Sequence, residues 1–153
     1  MTELSLLNEQ LSALLTNEHS AIANLANASA LINESIDNLN WAGFYLYNSK
    51  NNQLDLGPFQ GKVACMHIEL GKGVCGVAAS TKRTQIVDDV SKFSSYIACD
   101  SAAKSELVVP MLKQDGSLYG VLDLDAPILS RFNQSFANEM EEFASRLMVT
   151  IDE

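Results

Sequence analysis

Two apolar segments joined by an Asp-Gly turn constrain the fold of this 153-residue chain more than any other feature. Residues 106–112 (ELVVPML) and 117–125 (SLYGVLDLD) lie on either side of Gln114-Asp115-Gly116. The Asp-Gly pair is typical of a tight hairpin turn, so the pattern predicts two antiparallel strands. Pro110 lacks a backbone N–H, which predicts that its strand is an edge strand or carries a bulge.

Amphipathic helices are predicted toward both ends of the chain. Leucines recur at helical spacing within residues 3–17, a second apolar stripe runs from Ile22 to Ile36, and the clearest stripe lies at 132–151. The segments between them predict strands at 41–47, 53–60, 63–70 and 84–90, a short glycine-led helix at 71–81, and a loop with a helical turn at 91–104. This order predicts one α+β domain over residues 1–153, with a largely antiparallel sheet and helices packed on it.

The formal net charge of −9 excludes two classes of partner. Nucleic acids and anionic membranes both attract proteins with a positive surface, so we expect neither as a partner. The N-terminal residues carry no basic segment before an apolar run and do not resemble a signal peptide. No stretch approaches the roughly 18 consecutive apolar residues of a membrane span. We therefore expect a cytoplasmic protein.

The three cysteines are an odd number, which suits reactive, metal-binding or buried thiols better than a permanent disulfide framework. Cys65 and His67 lie two apart on a predicted strand and would share a face. A metal site would also need Cys75 or Cys99, so we favour an exposed His67 and expect no metal ion or other cofactor. For Cys75, in its glycine-rich turn, the pattern is equally consistent with a small buried hydrophobe and a functional thiol.

Cys99 differs from the other cysteines in its polar surroundings. It lies in the loop from Ser94 to Lys104, where Asp100 and Ser101 could cap a helical turn. A thiol at the N-terminus of a helix has a lowered pKa, because the free amide groups favour the thiolate. The setting makes Cys99 a candidate nucleophile, with an ordinary loop cysteine as the alternative.

The segment Gly71-Lys72-Gly73-Val74-Cys75-Gly76 matches the G-x-G-x-x-G pattern of dinucleotide-binding proteins. Dinucleotide binding of that kind requires a parallel sheet with repeated crossover helices. The hairpin signals downstream contradict such a sheet, so we favour a tight turn followed by a closely packed short helix.

Three acidic residues lie on the predicted hairpin. Asp123 and Asp125 share one face of their strand, opposite its leucines, and Glu106 begins the other strand. Carboxylates within an apolar strand are costly unless paired or solvated, so the pattern indicates either an acidic site or a solvated outer face. If Glu106 lies across from the two aspartates, one of the three should hold a proton at neutral pH and serve as a general acid.

Six segments together resemble the free methionine-(R)-sulfoxide reductases. They run in order over roughly residues 40–127 and include all three cysteines: Trp41-Ala42-Gly43-Phe44-Tyr45, Gly57-Pro58-Phe59-Gln60-Gly61-Lys62-Val63-Ala64-Cys65, Gly71-x-Gly73-Val74-Cys75-Gly76, Ile97-Ala98-Cys99-Asp100, Ser105-Glu106-Leu107-Val108-Val109-Pro110 and Gly120-Val121-Leu122-Asp123-Leu124-Asp125. No position that carries chemistry departs from the family's pattern. The resemblance implies the GAF fold, a six-stranded antiparallel sheet flanked by N-terminal and C-terminal helices, in agreement with the elements predicted above.

The resemblance also implies a role for each candidate residue. Cys99 would be the catalytic cysteine, with Cys65 as the resolving cysteine and Cys75 as a second candidate for that role. The other residues would hold the substrate: the carboxylates of Glu106, Asp123 and Asp125, an apolar wall of Trp41 and Tyr45 for the methyl group of the sulfoxide, and the backbone around Ile97, Ala98 and Cys99 for the substrate carboxylate.

The implied reaction is the reduction of free methionine (R)-sulfoxide by a thiol. The departing oxygen must be protonated, and we predict that Glu106 and Asp125 share that proton while Asp123 faces the substrate ammonium. Cys99 would become a sulfenic acid and form a disulfide with Cys65, which thioredoxin would reduce.

Two other functions stay open, a non-catalytic GAF domain that senses a small ligand and a thiol redox switch. Small GAF-type domains with a pair of N-terminal helices often dimerise, so a homodimer is also considered.

Overall fold

The computed structural model describes residues 2–97, 99 and 101–151. Within these ranges the helices are α1 (Glu3–Leu14), α2 (Ala21–Ser35), α3 (Gly73–Thr81) and α4 (Gln134–Ile151), with a short 3₁₀ helix at Val90–Lys92. The strands are β1 (Trp41–Asn48), β2 (Gln53–Gly61), β3 (His67–Glu69), β4 (Gln85–Val87), β5 (Ser105–Leu112) and β6 (Leu118–Ala126). None of the described helices is both long and apolar enough to cross a lipid bilayer.

The six strands form one sheet in the order β3-β2-β1-β6-β5-β4, and every pair of neighbours is antiparallel. The predicted hairpin between β5 and β6 is present, and the Lys113 N–H donates to the Ser117 carbonyl at 2.8 Å to close its turn. Gly116 has a φ of +85°, a conformation that glycine adopts without steric cost. The predicted α+β class and the six-stranded antiparallel sheet are confirmed.

Helices cover both faces of the sheet. Three of them, α1, α2 and α4, enclose the main core with one sheet face, and the apolar stripe predicted for α4 supplies Phe136, Met140, Phe143 and Leu147 to it. The short helix α3 packs on the opposite face against β5 and β6. A second apolar cluster lies there, with Val74 and Ala78 from α3 and Val108 and Val121 from the sheet. Side chains that alternate along β1, β5 and β6 therefore enter two separate clusters.

The ends of two strands differ from prediction. Residues 63–66 link β2 to β3 outside the sheet, and β4 ends at Val87. The strand with Pro110 is an inner strand, since β5 lies between β6 and β4. Pro110 has no N–H to donate, and this is tolerated because β4 pairs only with Glu106 to Val108 and does not reach Pro110. The irregularity that Pro110 predicts lies close by, between Met111 and Leu112.

Candidate active site

The three carboxyl groups predicted on the hairpin lie together on the sheet face that α3 covers. Glu106 pairs with Asp125 across β5 and β6, and Asp123 lies two residues along β6 on the same face. The exposed fractions of Glu106, Asp123 and Asp125 are 6%, 5% and 8%. The alternative of a solvated outer face is therefore wrong, and the acidic residues form a buried site.

Glu106 is the acid of this cluster that holds a proton. Burial, followed by the charges of Asp123 and Asp125, raises the pKa of Glu106 well above its ordinary value of 4.5. Burial also raises the pKa of Asp123, but hydrogen bonds to Glu106 and Cys75 oppose that shift. Two carboxyl groups in contact cannot both ionise cheaply, so the neutral Glu106 donates to an aspartate.

An aromatic wall stands beside the carboxyl groups. Trp41 pairs with Asp125 across β1 and β6, so Trp41, Asp125 and Glu106 lie side by side on three adjacent strands. Tyr45 lies on the same face of β1, and its ring stacks on that of Trp41 with the centroids 5.8 Å apart. Both residues are 2% exposed, so the wall is fixed by packing.

Cys75 is a buried thiol on α3 that contacts the acidic cluster. Its Sγ lies 3.9 Å from Oε2 of Glu106. Burial, followed by the charge of Asp123, raises the pKa of the Cys75 thiol, which is therefore neutral. Its Sγ and one oxygen each of Glu106 and Asp123 lie within 4.8 Å of one another, so these atoms are the ones among the described residues that could hold a cation.

The pairing of Cys65 with His67 on one strand face is wrong, because β3 begins only at His67. The ring of His67 is exposed, which confirms the interpretation that we favour for this residue. Its Nδ1 lies 2.7 Å from Oδ1 of Asp55 and 2.9 Å from Nε2 of Gln53. Cys65 instead forms a disulfide bond with Cys99, and their Cα atoms are 5.4 Å apart.

The disulfide joins two segments that are distant in the sequence. Cys65 lies in the link between β2 and β3, and Cys99 lies in the loop between β4 and β5. Both cysteines are partly exposed, so an external thiol can approach the bond. Residues 101 and 102 after Cys99 form a turn, and Asp100, predicted to cap it, lies outside the described residues. The Cys99 N–H donates to the Ile97 carbonyl at 3.1 Å.

A cavity of about 40 Å³ lies between α3, the sheet and the loop with Cys99. Apart from Cys65, every predicted site residue that the structure describes lines this cavity: Trp41, Tyr45, Cys75, Ile97, Cys99, Glu106, Asp123 and Asp125. Ala98, predicted to bind substrate, lies outside the described residues. The structure thus brings the predicted residues together in one place.

The cavity is suited to a positively charged ligand. No lysine, arginine or histidine is among the described residues that line it. In the described part of the chain, Oδ1 of Asp123 is buried and has no hydrogen-bond partner. A buried acceptor that stays unpaired is costly, so a ligand that donates hydrogen bonds from a cationic group would relieve this cost.

Two glycines, Gly43 and Gly73, shape the site, although the sequence patterns described above give neither of them a role there. Gly43 pairs with Asp123 on one side and Phe59 on the other, and a Cβ on Gly43 would collide with Phe59, whose ring stacks on Trp41 at 5.0 Å. Gly73 has a φ of +66°, and its N–H donates to the Ser95 carbonyl at 2.9 Å. An isolated glycine within a strand marks a close approach of this kind, and this signal could have identified Gly43.

The glycine motif forms the tight turn that we favoured over a dinucleotide site. A Cβ at Gly76 would lie 2.5 Å from the carbonyl oxygen of Glu69, so the start of α3 packs directly on the preceding strand. All described strand pairs are antiparallel, whereas the dinucleotide site requires a parallel sheet.

The GAF domain family matches residues 8–151 of this chain. The free methionine-R-sulfoxide reductase of Saccharomyces cerevisiae is 51% identical over 128 residues, which are 80% of this chain and 71% of the yeast protein. The Escherichia coli protein of the same name is 42% identical over 141 residues, 92% of this chain and 84% of its own length. The structure of fRMsr of Staphylococcus aureus in complex with its substrate superposes with a TM-score of 0.92 at 47% identity, covering 99% of this chain and 97% of that one.

Proposed function

This chain belongs to the GAF-domain family, among its free methionine-(R)-sulfoxide reductases, and we propose that it reduces free methionine (R)-sulfoxide to methionine with Cys99 as the nucleophile. The observation that carries this proposal is the buried Glu106, beside Asp123 and Asp125, in the cavity that Cys99 also lines. A sulfoxide needs both a sulfur nucleophile and a proton for its oxygen.

The acidic cluster supports a substrate that is a free amino acid. The unpaired oxygen of Asp123 would accept a hydrogen bond from the substrate ammonium, while Trp41 and Tyr45 would contact its methyl group. Residues Ile97 to Cys99 would receive the substrate carboxylate, although the Cys99 N–H donates to Ile97 in the disulfide state. Methionine within a polypeptide lacks a free ammonium group and would leave the buried acids unpaired.

The first chemical step needs a proton near the sulfoxide oxygen. The Cys99 sulfur attacks the substrate sulfur, and Glu106, hydrogen-bonded to Asp125, donates its proton to the oxygen. Glu106 is the proton donor in this scheme, and Asp125 stabilises the acid through the hydrogen bond. The hydroxyl then passes from the substrate sulfur to the Cys99 sulfur as the transient sulfur–sulfur bond breaks, which releases methionine and leaves Cys99 as a sulfenic acid. The proton that the Cys99 thiol gives up replaces the one donated by Glu106.

The second step forms the disulfide and then reduces it. Cys65 condenses with the Cys99 sulfenic acid, and an external dithiol then reduces the bond. We propose thioredoxin as that dithiol, and a cytoplasmic location, because a recycled disulfide needs a supply of reduced thiols. Cys75, buried with a raised pKa, is a less suitable resolving thiol than Cys65. A homodimer stays a prediction.

A coupled assay tests this function against the two alternatives. Thioredoxin, its reductase and NADPH are supplied with each diastereomer of free methionine sulfoxide. We expect NADPH consumption that depends on the R form and is lost in Cys99→Ser. The control is Ser94→Ala, which alters an exposed residue of the same loop and should retain turnover.

Each alternative predicts a different result in this assay. A non-catalytic sensor would consume no NADPH beyond the background and would be unaffected by Cys99→Ser. A redox switch would consume one equivalent per protein regardless of the sulfoxide. Either result would refute the reductase.

A further inference from the structure

Trp41 and Tyr45 each donate a hydrogen bond to the link that carries Cys65. The indole Nε1 of Trp41 lies 3.2 Å from the carbonyl oxygen of Lys62, and the hydroxyl of Tyr45 lies 3.0 Å from the carbonyl oxygen of Cys65 itself. An apolar wall for a methyl group requires neither of these bonds. They therefore point to a second role for the two aromatic residues.

When the disulfide is reduced, the link keeps few contacts that fix its position. It runs outside the sheet between β2 and β3. Packing anchors the link only in part, since Val63 is 88% exposed and Met66 is 70% exposed, while Ala64 and Cys65 are half-buried against the second apolar cluster. The Met66 carbonyl accepts a hydrogen bond from Leu56 at 2.9 Å, which holds the end of the link near β3. The bonds from Trp41 and Tyr45 hold the link at Lys62 and at Cys65, where the disulfide to Cys99 holds it as well.

We propose that Tyr45, assisted by Trp41, is a positioning residue for disulfide formation, and that it holds Cys65 within reach of the Cys99 sulfur. The inference rests on the proposed function. Both rings are buried in β1 and stacked on one another, so they form a rigid support for a link in which Val63 and Met66 are exposed. Tyr45 thus connects the cavity that binds substrate to the thiol that acts after the substrate has reacted.

The step that Tyr45 assists is balanced without any further reactant. The Cys65 sulfur attacks the sulfur of the Cys99 sulfenic acid, a sulfur–sulfur bond forms, and the sulfur–oxygen bond breaks. The oxygen leaves as water with the proton of the Cys65 thiol. The Cys65 sulfur is oxidised and the Cys99 sulfur is reduced. Holding the two sulfurs close raises their effective concentration and hence the rate.

The hydroxyl of Tyr45 is suited to this task because it remains a donor. Burial, followed by the charge of Asp123, raises the pKa of the Tyr45 phenol far above its ordinary value. The phenol therefore keeps its proton throughout the working range of pH.

Tyr45→Phe tests the inference, because it keeps the ring and removes only the hydrogen bond. Reduced protein is mixed with one equivalent of methionine (R)-sulfoxide and no reductant, and methionine release, the dimedone adduct of Cys99 and the disulfide are followed in time by mass spectrometry. Loss of one hydrogen bond should slow disulfide formation, relative to methionine release, by about 3–10-fold. The adduct of Cys99 should accumulate accordingly.

Tyr47→Phe is the matched control. Tyr47 also lies in β1, and its hydroxyl donates to Oδ1 of Asn52 at 2.8 Å, away from the link. This variant should keep the ratio of the two rates seen in the wild-type protein. The melting temperatures of both variants would show that neither is unfolded.

A double-mutant cycle distinguishes positioning from a general structural effect. Tyr45→Phe should not prolong the life of the sulfenic acid in a Cys65→Ser background, since it acts through Cys65. An unchanged rate ratio in Tyr45→Phe, or equal slowing in the Cys65→Ser background, would overturn the inference. If the wild-type protein releases no methionine, the proposed function fails instead, so the two failures are distinguishable.

Discussion

Glu106 and Asp125 face each other across β5 and β6, and both side chains are buried on the sheet face beneath α3. Two carboxyl groups at such a position repel one another when both are ionised. Their placement keeps a proton in the cavity at neutral pH, and that proton has consequences for both activity and stability.

Replacing Glu106 with glutamine should remove the general acid while keeping the shape of the side chain. We expect kcat/KM for methionine (R)-sulfoxide to fall by about 10²–10⁴-fold, or about 3–5 kcal/mol of transition-state stabilisation. Steady-state kinetics with purified protein measure this loss. Glu69→Gln, which alters an exposed acid on β3, should leave kcat/KM unchanged. A Glu106→Gln variant within about threefold of wild type would remove Glu106 from the mechanism.

The same residue should make the free energy of unfolding depend on pH. The pKa of Glu106 is raised in the folded protein, so the folded state binds more protons than the unfolded state above the ordinary pKa of 4.5. Its contribution to stability is complete below that pH and is lost as the pH rises through the folded-state pKa. Denaturant titrations across this range should show a steeper decline for wild type than for Glu106→Gln. Parallel curves for the two proteins would contradict this expectation.

Cys75 should be an unreactive thiol in the folded, oxidised protein. Cys75 takes no part in the disulfide, and its side chain is buried. Burial and the nearby carboxyl groups raise the pKa of its thiol. Each unit of pKa increase lowers the thiolate fraction tenfold at a fixed pH, so iodoacetamide should modify Cys75 at least about tenfold more slowly than in denaturant. Mass spectrometry of timed samples gives both rates. Equally fast modification would show that the thiol is accessible and ionised.

Substrate should bind the reduced protein more tightly than the disulfide form. The cavity of the disulfide form has a volume of about 40 Å³, which is small for an amino acid. We expect substrate to displace the loop with Cys99, and the bond to Cys65 should oppose that displacement. Calorimetric titration of methionine (R)-sulfoxide should give a Kd at least about tenfold lower for reduced Cys99→Ser than for oxidised wild type. Equal Kd values would mean that the disulfide does not restrict the site.

The alternation of residues along β6 made much of the site predictable. Leucines and aspartates alternate from Leu122 to Asp125, and the Asp-Gly turn fixes the register that places Glu106 opposite Asp125. These relationships depend on residues close in sequence. The family resemblance then supplied the reaction and the roles of the three cysteines.

The burial of the carboxyl groups could not be predicted in the same way. It depends on α3 and on the loop with Cys99, which reach the sheet through contacts between distant parts of the chain. The structure of residues 63–66 also depends on a contact with a distant part of the chain, so the sequence pattern did not predict it. These residues suit a strand, but they lie outside the sheet, where Cys65 forms its bond to Cys99.

The alternation along β6 also restricts how a gene for this protein can change. An insertion or deletion of one residue within β6 would exchange the two faces of the strand, moving the aspartates among the core side chains and the leucines into the cavity. Substitutions alter one position at a time and leave the alternation between the two faces of β6 unchanged. Lineages that keep the activity should therefore diverge in β6 by substitution alone, and changes in chain length should be found in turns such as residues 113–117.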